Sequence, residues 1–203
     1  MNGSGMKTIL LASASPRRSA LLTQIGVAHE VRAMDVDESA LAGESPERLV
    51  RRLARAKAIE GRRQGSSGMS VLGADTVVVL DGTVFGKPAD ERDGVRMLCA
   101  LGGRTHHVLT AVALALPDAP GSVFEALSDT AVTMRAISIA DARAYWASGE
   151  PLGKAGGYAV QGLGAVFIEH MDGSYSGVMG LPLYETAQLL QAHGLYATHA
   201  EFP

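Results

Sequence analysis

Cysteine is almost missing from this 203-residue chain: Cys99 stands alone. No intramolecular disulfide can form, which suits a reducing cytoplasm. Cys99 lies among Met97, Leu98 and Leu101 in a helical pattern and reads as an inert core thiol. Aromatic residues make up 5%, too few for a base-stacking nucleic-acid platform. Positive charge is not in excess either, because 18 Lys and Arg face 21 Asp and Glu for a formal charge of −3. Chains that coat themselves with polyphosphate backbone are normally basic, so bulk DNA or RNA is disfavoured as a partner. Long hydrophobic runs are absent too. Thr76–Leu80 and Val108–Leu116 fall well short of the ~20 residues that a membrane span needs. The opening Met1-Asn2-Gly3-Ser4-Gly5-Met6-Lys7 lacks the apolar stretch of a secretory signal. Residues 1–6 read as a floppy extension, with Met6 a candidate first residue, and residues 7–203 as one domain.

Several chemical motifs are missing as well. There is no G-x-x-x-x-G-K-[ST] phosphate loop and no G-x-S-x-G elbow. Gly162-Leu163-Gly164 lacks the third glycine of a dinucleotide fingerprint. His106-His107 has no metal-ligand spacing, and the other histidines are scattered.

What is present is a globular composition, 47% hydrophobic and 19% charged, with short apolar runs alternating with helical patterns. That alternation predicts an α/β fold. Strands are expected at Thr8–Ala12, His29–Ala33, Val71–Leu80, Thr83–Gly86, Val108–Leu116, Val123–Met134 and Ala165–Met171. Asp81-Gly82 joins two of them as a two-residue hairpin. Helices are expected to open at Ser15-Pro16, Ser45-Pro46, Asp90 and the Ser138/Asp141 capping box. A last helix should follow Leu181-Pro182 and stop at Gly194.

Four places break local rules. Arg17 and Arg18 fall in the first turn of a helix, where each cation is unfavourable by roughly 0.3–1 kcal/mol. The free N–H groups of that turn, with the hydroxyls of Ser13 and Ser15 before it, instead make an anion cradle. Lys57 lies near the middle of the apolar stripe marked by Leu49, Val50, Leu53 and Ala54, so it needs an anion or must snorkel past the helix end. Arg51, Arg52 and Arg55 lie elsewhere on that helix and read as solvated. Asp75 interrupts the otherwise apolar strand Val71–Leu80 and should have a metal or cationic partner. Lys87, counted back from the hairpin, comes opposite Thr76 and beside Asp75. Ideal alternation puts those two side chains on opposite faces, so a distortion at Gly86 or Pro88 would be needed to join them. Glu38, by contrast, reads locally as an ordinary loop acid. Gln161 lies in the glycine-rich run Lys154–Gly162, which can let backbone approach a ligand closely.

Taken together, Ser13-x-Ser15-Pro16-Arg17-Arg18, Asp37-Glu38, Lys57, Gly73-Ala74-Asp75-Thr76, Gly86-Lys87-Pro88, Lys154–Gly162 and Gly180-Leu181-Pro182 resemble the Maf (septum-formation) family. The resemblance runs from about Lys7 to Gly194. It implies an elongated, twisted mixed sheet flanked by helices, with two lobes around a cleft, similar to the inosine triphosphatase fold. It also implies a cytoplasmic nucleoside triphosphate pyrophosphatase that uses a divalent cation, Mg²⁺ or Mn²⁺. By the same resemblance, Asp75 is the catalytic base and Glu38 and Asp75 hold the metal. Ser13, Arg18, Lys57 and Lys87 hold phosphates, and Arg17, Thr76 and Gln161 match the branch that acts on dTTP and UTP. A non-catalytic nucleotide-binding regulator of septation, or a pyrophosphatase for inosine or other triphosphates, stays open at this point. A homodimer is the default for a soluble enzyme.

Overall fold

The computed structural model describes residues 7–65, 68–119 and 121–197; the extension read at residues 1–6 lies outside them. In chain order the elements are β1 (Ile9–Ala12), α1 (Pro16–Gln24), β2 (His29–Arg32), α2 (Pro46–Arg63), β3 (Val71–Leu80), β4 (Thr83–Phe85) and α3 (Glu91–Leu101). There follow β5 (Thr105–Ala115), β6 (Val123–Met134), α4 (Ile139–Ala147), β7 (Ile168–Asp172), α5 (Tyr175–Met179) and α6 (Leu183–Ala192). The fold is thus the α/β class expected, a seven-stranded mixed sheet ordered β2-β1-β3-β5-β6-β7, with β4 pairing β3. β1 runs parallel to β2 and β3, and the remaining pairs are antiparallel.

Local chemistry explains most of the boundaries. Ser45 accepts from Arg48 N at 3.3 Å and Asp90 from Asp93 N at 2.8 Å, capping α2 and α3. Ser138 and Asp141 cap α4 reciprocally. Asp81 (φ 49°) and Gly82 (φ 75°) both take the left-handed backbone that a tight hairpin requires. α1 differs: Ser15 has an extended N-cap backbone, yet no side chain caps the helix.

Three expectations need correction. β5 starts at Thr105 rather than Val108, because buried His106 and exposed His107 continue the strand's alternation without looking apolar. β7 starts at Ile168, since Leu163–Phe167 form a 3₁₀ turn. α5 was not expected; it spans 5 residues, too few to show a helical period.

The apolar faces of the sheet bury against helices on both sides. Leu49, Val50, Leu53, Ala54 and Ala58 of α2 pack on Leu10, Val71, Val77, Leu109, Ala111 and Ala113. On the other face Leu21, Leu22, Leu181 and Leu190 cover Ile9, Leu11, Leu72, Ala74, Val112 and Leu114. A third cluster joins Met97, Leu98 and Leu101 of α3 to Val78, Val108, Val132, Met134 and Tyr145.

One edge of β3 is shared by two short strands. β1 pairs with Val71–Gly73 and β4 pairs with Val78–Leu80. Residues 74–77 between them have no strand partner on that edge among the described residues. Asp75 and Thr76 sit in this gap.

Candidate active site

A cavity of about 480 Å³ opens at the gap in the sheet edge. Successive residues of a strand point to opposite faces, so Asp75 faces α2 and Thr76 faces the α1 and α5 side. The cavity wraps around the unpaired edge and is lined by both.

Asp75 is buried and meets Lys57, whose Nζ donates to Asp75 Oδ1 at 2.7 Å. Gly73 makes this possible. A Cβ there would run into Ala54 O and lie 2.7 Å from Ala58 N, so only glycine lets the backbone of α2 settle this close to β3. That approach brings Lys57, on the core-facing stripe of α2, directly over Asp75. Lys57 is only 8% exposed, so it does not snorkel; its anion is inside.

Lys57 Nζ also donates to Glu38 Oε1 at 2.7 Å, and Lys87 Nζ donates to Glu38 Oε2 at 3.2 Å. Glu38, which looked like a surface acid, therefore bridges the two lysines. Burial pushes its carboxyl up, but the hydrogen bonds and charges of Lys57 and Lys87 outweigh this and hold it below its ordinary value. Lys87 does not reach Asp75 through a strand distortion. β4 ends at Phe85, paired with Val78, and Lys87 meets the site from a loop through Glu38.

On the other face Ser13 is buried at the end of β1. Its Oγ accepts from Ser15 N and from Arg18 Nη1, each at 3.2 Å. Arg18 also donates through Nε to Gly180 O at 2.7 Å and through Nη2 to Thr76 Oγ1 at 3.2 Å. Arg17 Nε donates to Met179 O at 3.3 Å. Burial lowers the pKa of both guanidinium groups, and for Arg18 the charge of Asp75 opposes the shift. Thr76 is thus already engaged, held by Arg18 and by Thr110 Oγ1 at 3.0 Å. Gln161 lies exposed at the mouth of the cavity, in the turn that ends the glycine-rich run. Ser13, Arg17, Arg18, Glu38, Lys57, Asp75, Thr76, Lys87 and Gln161 all line the one cavity.

Two further residues belong to this arrangement. Lys154 lines the cavity and donates from Nζ to Glu150 O; burial, then the charge of Arg17, lowers its pKa. Its place at the head of the glycine run was the signal that could have singled it out. Thr110 Oγ1 donates to Gly177 O at 2.8 Å and lies 3.0 Å from Thr76 Oγ1, and a threonine in a strand leaves no trace of such a role.

Five cations (Arg17, Arg18, Lys57, Lys87 and Lys154) and two carboxylates (Glu38 and Asp75) line the cavity. This local excess of three positive charges stands in a chain whose formal charge is −3. Among the described residues no helix is long and apolar enough to cross a membrane.

Comparison with known proteins agrees with the sequence. The family described as Maf-like protein matches residues 8–193. The chain is similar to a dTTP/UTP pyrophosphatase of Bordetella avium, 51% identical over 195 residues, covering 92% of this chain and 96% of the relative. It is equally similar to a dTTP/UTP pyrophosphatase of Pseudoalteromonas translucida, 51% identical over 183 residues, covering 90% and 95%. Among solved structures it is similar to the Staphylococcus aureus Ham1 protein, with a TM-score of 0.48, 17% identity, and coverage of 92% of this chain and 97% of that one. With nearly its whole length matched and its motif residues gathered around one cavity, this chain belongs to the Maf-like protein family.

Proposed function

We propose that this chain is a nucleoside triphosphate pyrophosphatase that hydrolyses dTTP and UTP to the monophosphate and pyrophosphate with the help of a divalent cation. The carrying observation is the charge excess in the cavity, five cations against two carboxylates, which fits a ligand bearing several negative charges. The curated relatives named dTTP/UTP pyrophosphatase support the choice of base.

The donor set suits a metal that is shared with substrate. Among the described residues no group of three or more His, Cys, Asp and Glu could hold an ion alone. Two carboxylates, Glu38 and Asp75, share Lys57 as neighbour. One or two carboxylates completed by phosphate oxygens and water is how Mg²⁺ and Mn²⁺ are usually held. Glu38 and Asp75 would hold it, and when bound it supplies charge neutralisation to the phosphates.

The chain's own groups do the rest. Asp75 takes the proton of the water that attacks the α-phosphorus. Arg18, Lys57 and Lys87 neutralise the triphosphate, and Ser13 with the uncapped first turn of α1 donates hydrogen bonds to it. Arg17 sits beside them, and Thr76 fixes the guanidinium of Arg18. Gln161 at the mouth hydrogen-bonds the pyrimidine, a contact that rejects wrong bases better than apolar fit does. A single cysteine suits work in the cytoplasm, and a homodimer is the expected assembly.

The test is pyrophosphate release from a panel of common and modified triphosphates, with Mg²⁺, with Mn²⁺ and with EDTA. Release from dTTP and UTP only with metal supports the reading. Saturable binding without release would make the chain a nucleotide-binding regulator of septation, and preference for inosine or xanthosine triphosphate would move the substrate to purines.

A further inference from the structure

The turn that carries Gln161 is held by a partly buried polar staple outside the cavity. Glu150 lies just past the end of α4, and Tyr145 is in its last turn. Tyr145 Oη donates to Glu150 Oε1 at 2.6 Å. The same carboxylate accepts from Leu163 N at 2.8 Å on Oε2 and from Gly164 N at 2.9 Å on Oε1. Tyr145 Oη in turn accepts from Ala159 N at 3.1 Å. Backbone amides on both sides of Gln161, at positions 159, 163 and 164, are therefore tied to one Tyr–Glu pair.

The backbone is shaped for this contact. A Cβ on Gly162 would overlap the Glu150 carboxylate, and one on Gly164 would lie 2.7 Å from Tyr145 Oη. Tyr145 is buried, with its pKa raised by burial and then by the Glu150 hydrogen bond, so it stays a phenol that can donate. Burial also pushes the Glu150 carboxyl up, but the hydrogen bonds from Tyr145, Gly164 and Leu163 more than offset that, leaving it below its ordinary value. Glu150 is thus an ionised acceptor with three donors, the strong form of such a contact. It touches nothing in the cavity through its carboxylate; Lys154 reaches only its backbone carbonyl.

We propose that Glu150, with Tyr145, is a positioning residue for base selectivity: it fixes the turn so that the Gln161 amide meets the pyrimidine in one orientation. The proposal rests on the pyrophosphatase reading. An exposed glutamine on a glycine-flanked turn would otherwise sample many orientations, and small misplacements of a positioning group cost large factors.

The test measures kcat/KM for dTTP and for dGTP in the wild type, in Glu150→Gln, in Gln161→Ala and in the double variant. Glu150→Gln keeps the side chain's shape and presents an N–H to amides that need an acceptor. The expected result is a fall of about tenfold in the dTTP-to-dGTP ratio, chiefly through KM for dTTP. In the Gln161→Ala background the same substitution should change the ratio by less than twofold. An equal loss on both nucleotides, an unchanged ratio, or a full effect on top of Gln161→Ala overturns the proposal. Should Glu150→Gln fail to fold, Tyr145→Phe removes two bonds of the staple and is held to the same outcomes. Should the wild type release pyrophosphate from no triphosphate, the pyrophosphatase reading fails by itself. The ratio of dissociation constants for dTTP and dGTP then decides on the staple in the same four proteins.

Discussion

Three surface arginines and the two inside the cleft are partnered differently. On the helix surfaces Arg52 donates to Glu44, Arg63 to Glu60 and Arg96 to Asp93, each at 2.7 Å and each to a carboxylate close in sequence. Hydrogen bonds from Arg52 and Arg63 hold Glu44 and Glu60 down at about 2, so those positive charges are committed. Inside, Arg17 and Arg18 donate to the carbonyls of Met179 and Gly180 and to the hydroxyls of Ser13 and Thr76. Neutral acceptors fix the direction of a guanidinium without cancelling its charge. Orientation and neutralisation are separate jobs, and the hydrogen bonds of Arg17 and Arg18 supply only the first.

That contrast can be broken by substitution, beginning where the effect should be greatest. Asp75→Asn keeps the shape of the buried pair and should lower pyrophosphate release by about 10²–10⁴-fold, while a thermal melt still shows cooperative folding. Near-native hydrolysis by the pure variant would sink the base assignment. Lys57→Ala leaves Asp75 without its 2.7 Å partner. Turnover should fall by about 10²-fold or more, with stability reduced by roughly 1–3 kcal/mol; full activity with a lower melting temperature would make Lys57 a structural cation. Arg18→Met should act on binding, raising KM for the triphosphate by about 10–100-fold, because a charge-assisted contact to phosphate is removed.

A buried histidine on β5 extends the comparison. His106 is 1% exposed, with Nε2 2.8 Å from Tyr158 Oη, and burial followed by the charge of His107 lowers its pKa to about 4. Its unfolded value is near 6.5, so the unfolded chain takes up this proton first as pH falls. The group's contribution to stability is complete above pH 6.5 and is lost progressively toward pH 4, a change of about 3 kcal/mol. The melting temperature of His106→Asn should lack that part of the pH dependence; parallel curves for the two proteins would refute it. Last, Arg63→Ala should leave turnover intact and move stability by no more than about 0.5 kcal/mol, because its ion pair is exposed.

Much of this was legible in the residues themselves. β3 and β6 fall on the bounds read from their apolar runs, and the capping residues of α2, α3 and α4 mark real helix starts. Lys57 and Asp75 stood out because each violates its own element's pattern, and each explains the other. Glu38 carried no local sign, since a loop acid becomes significant only through the fold that sets it between two lysines. The Lys87 count failed for a related reason: it assumed a strand beyond Phe85, where the chain has already left the sheet. Glu150 and Tyr145 were invisible because their role lies in amides 13 to 14 residues away, and backbone donors have no identity in a sequence.

β3 also limits how the molecule can move. Its 10 residues pass beneath both sides of the cavity, and Val71–Val79 are zipped to β5 along that length. Bending the two halves apart would have to tear this central ladder, so the floor of the cavity is stiff. Accommodation of the guest falls to groups above it, such as the exposed tip of Lys87, while the stapled turn at the rim stays fixed.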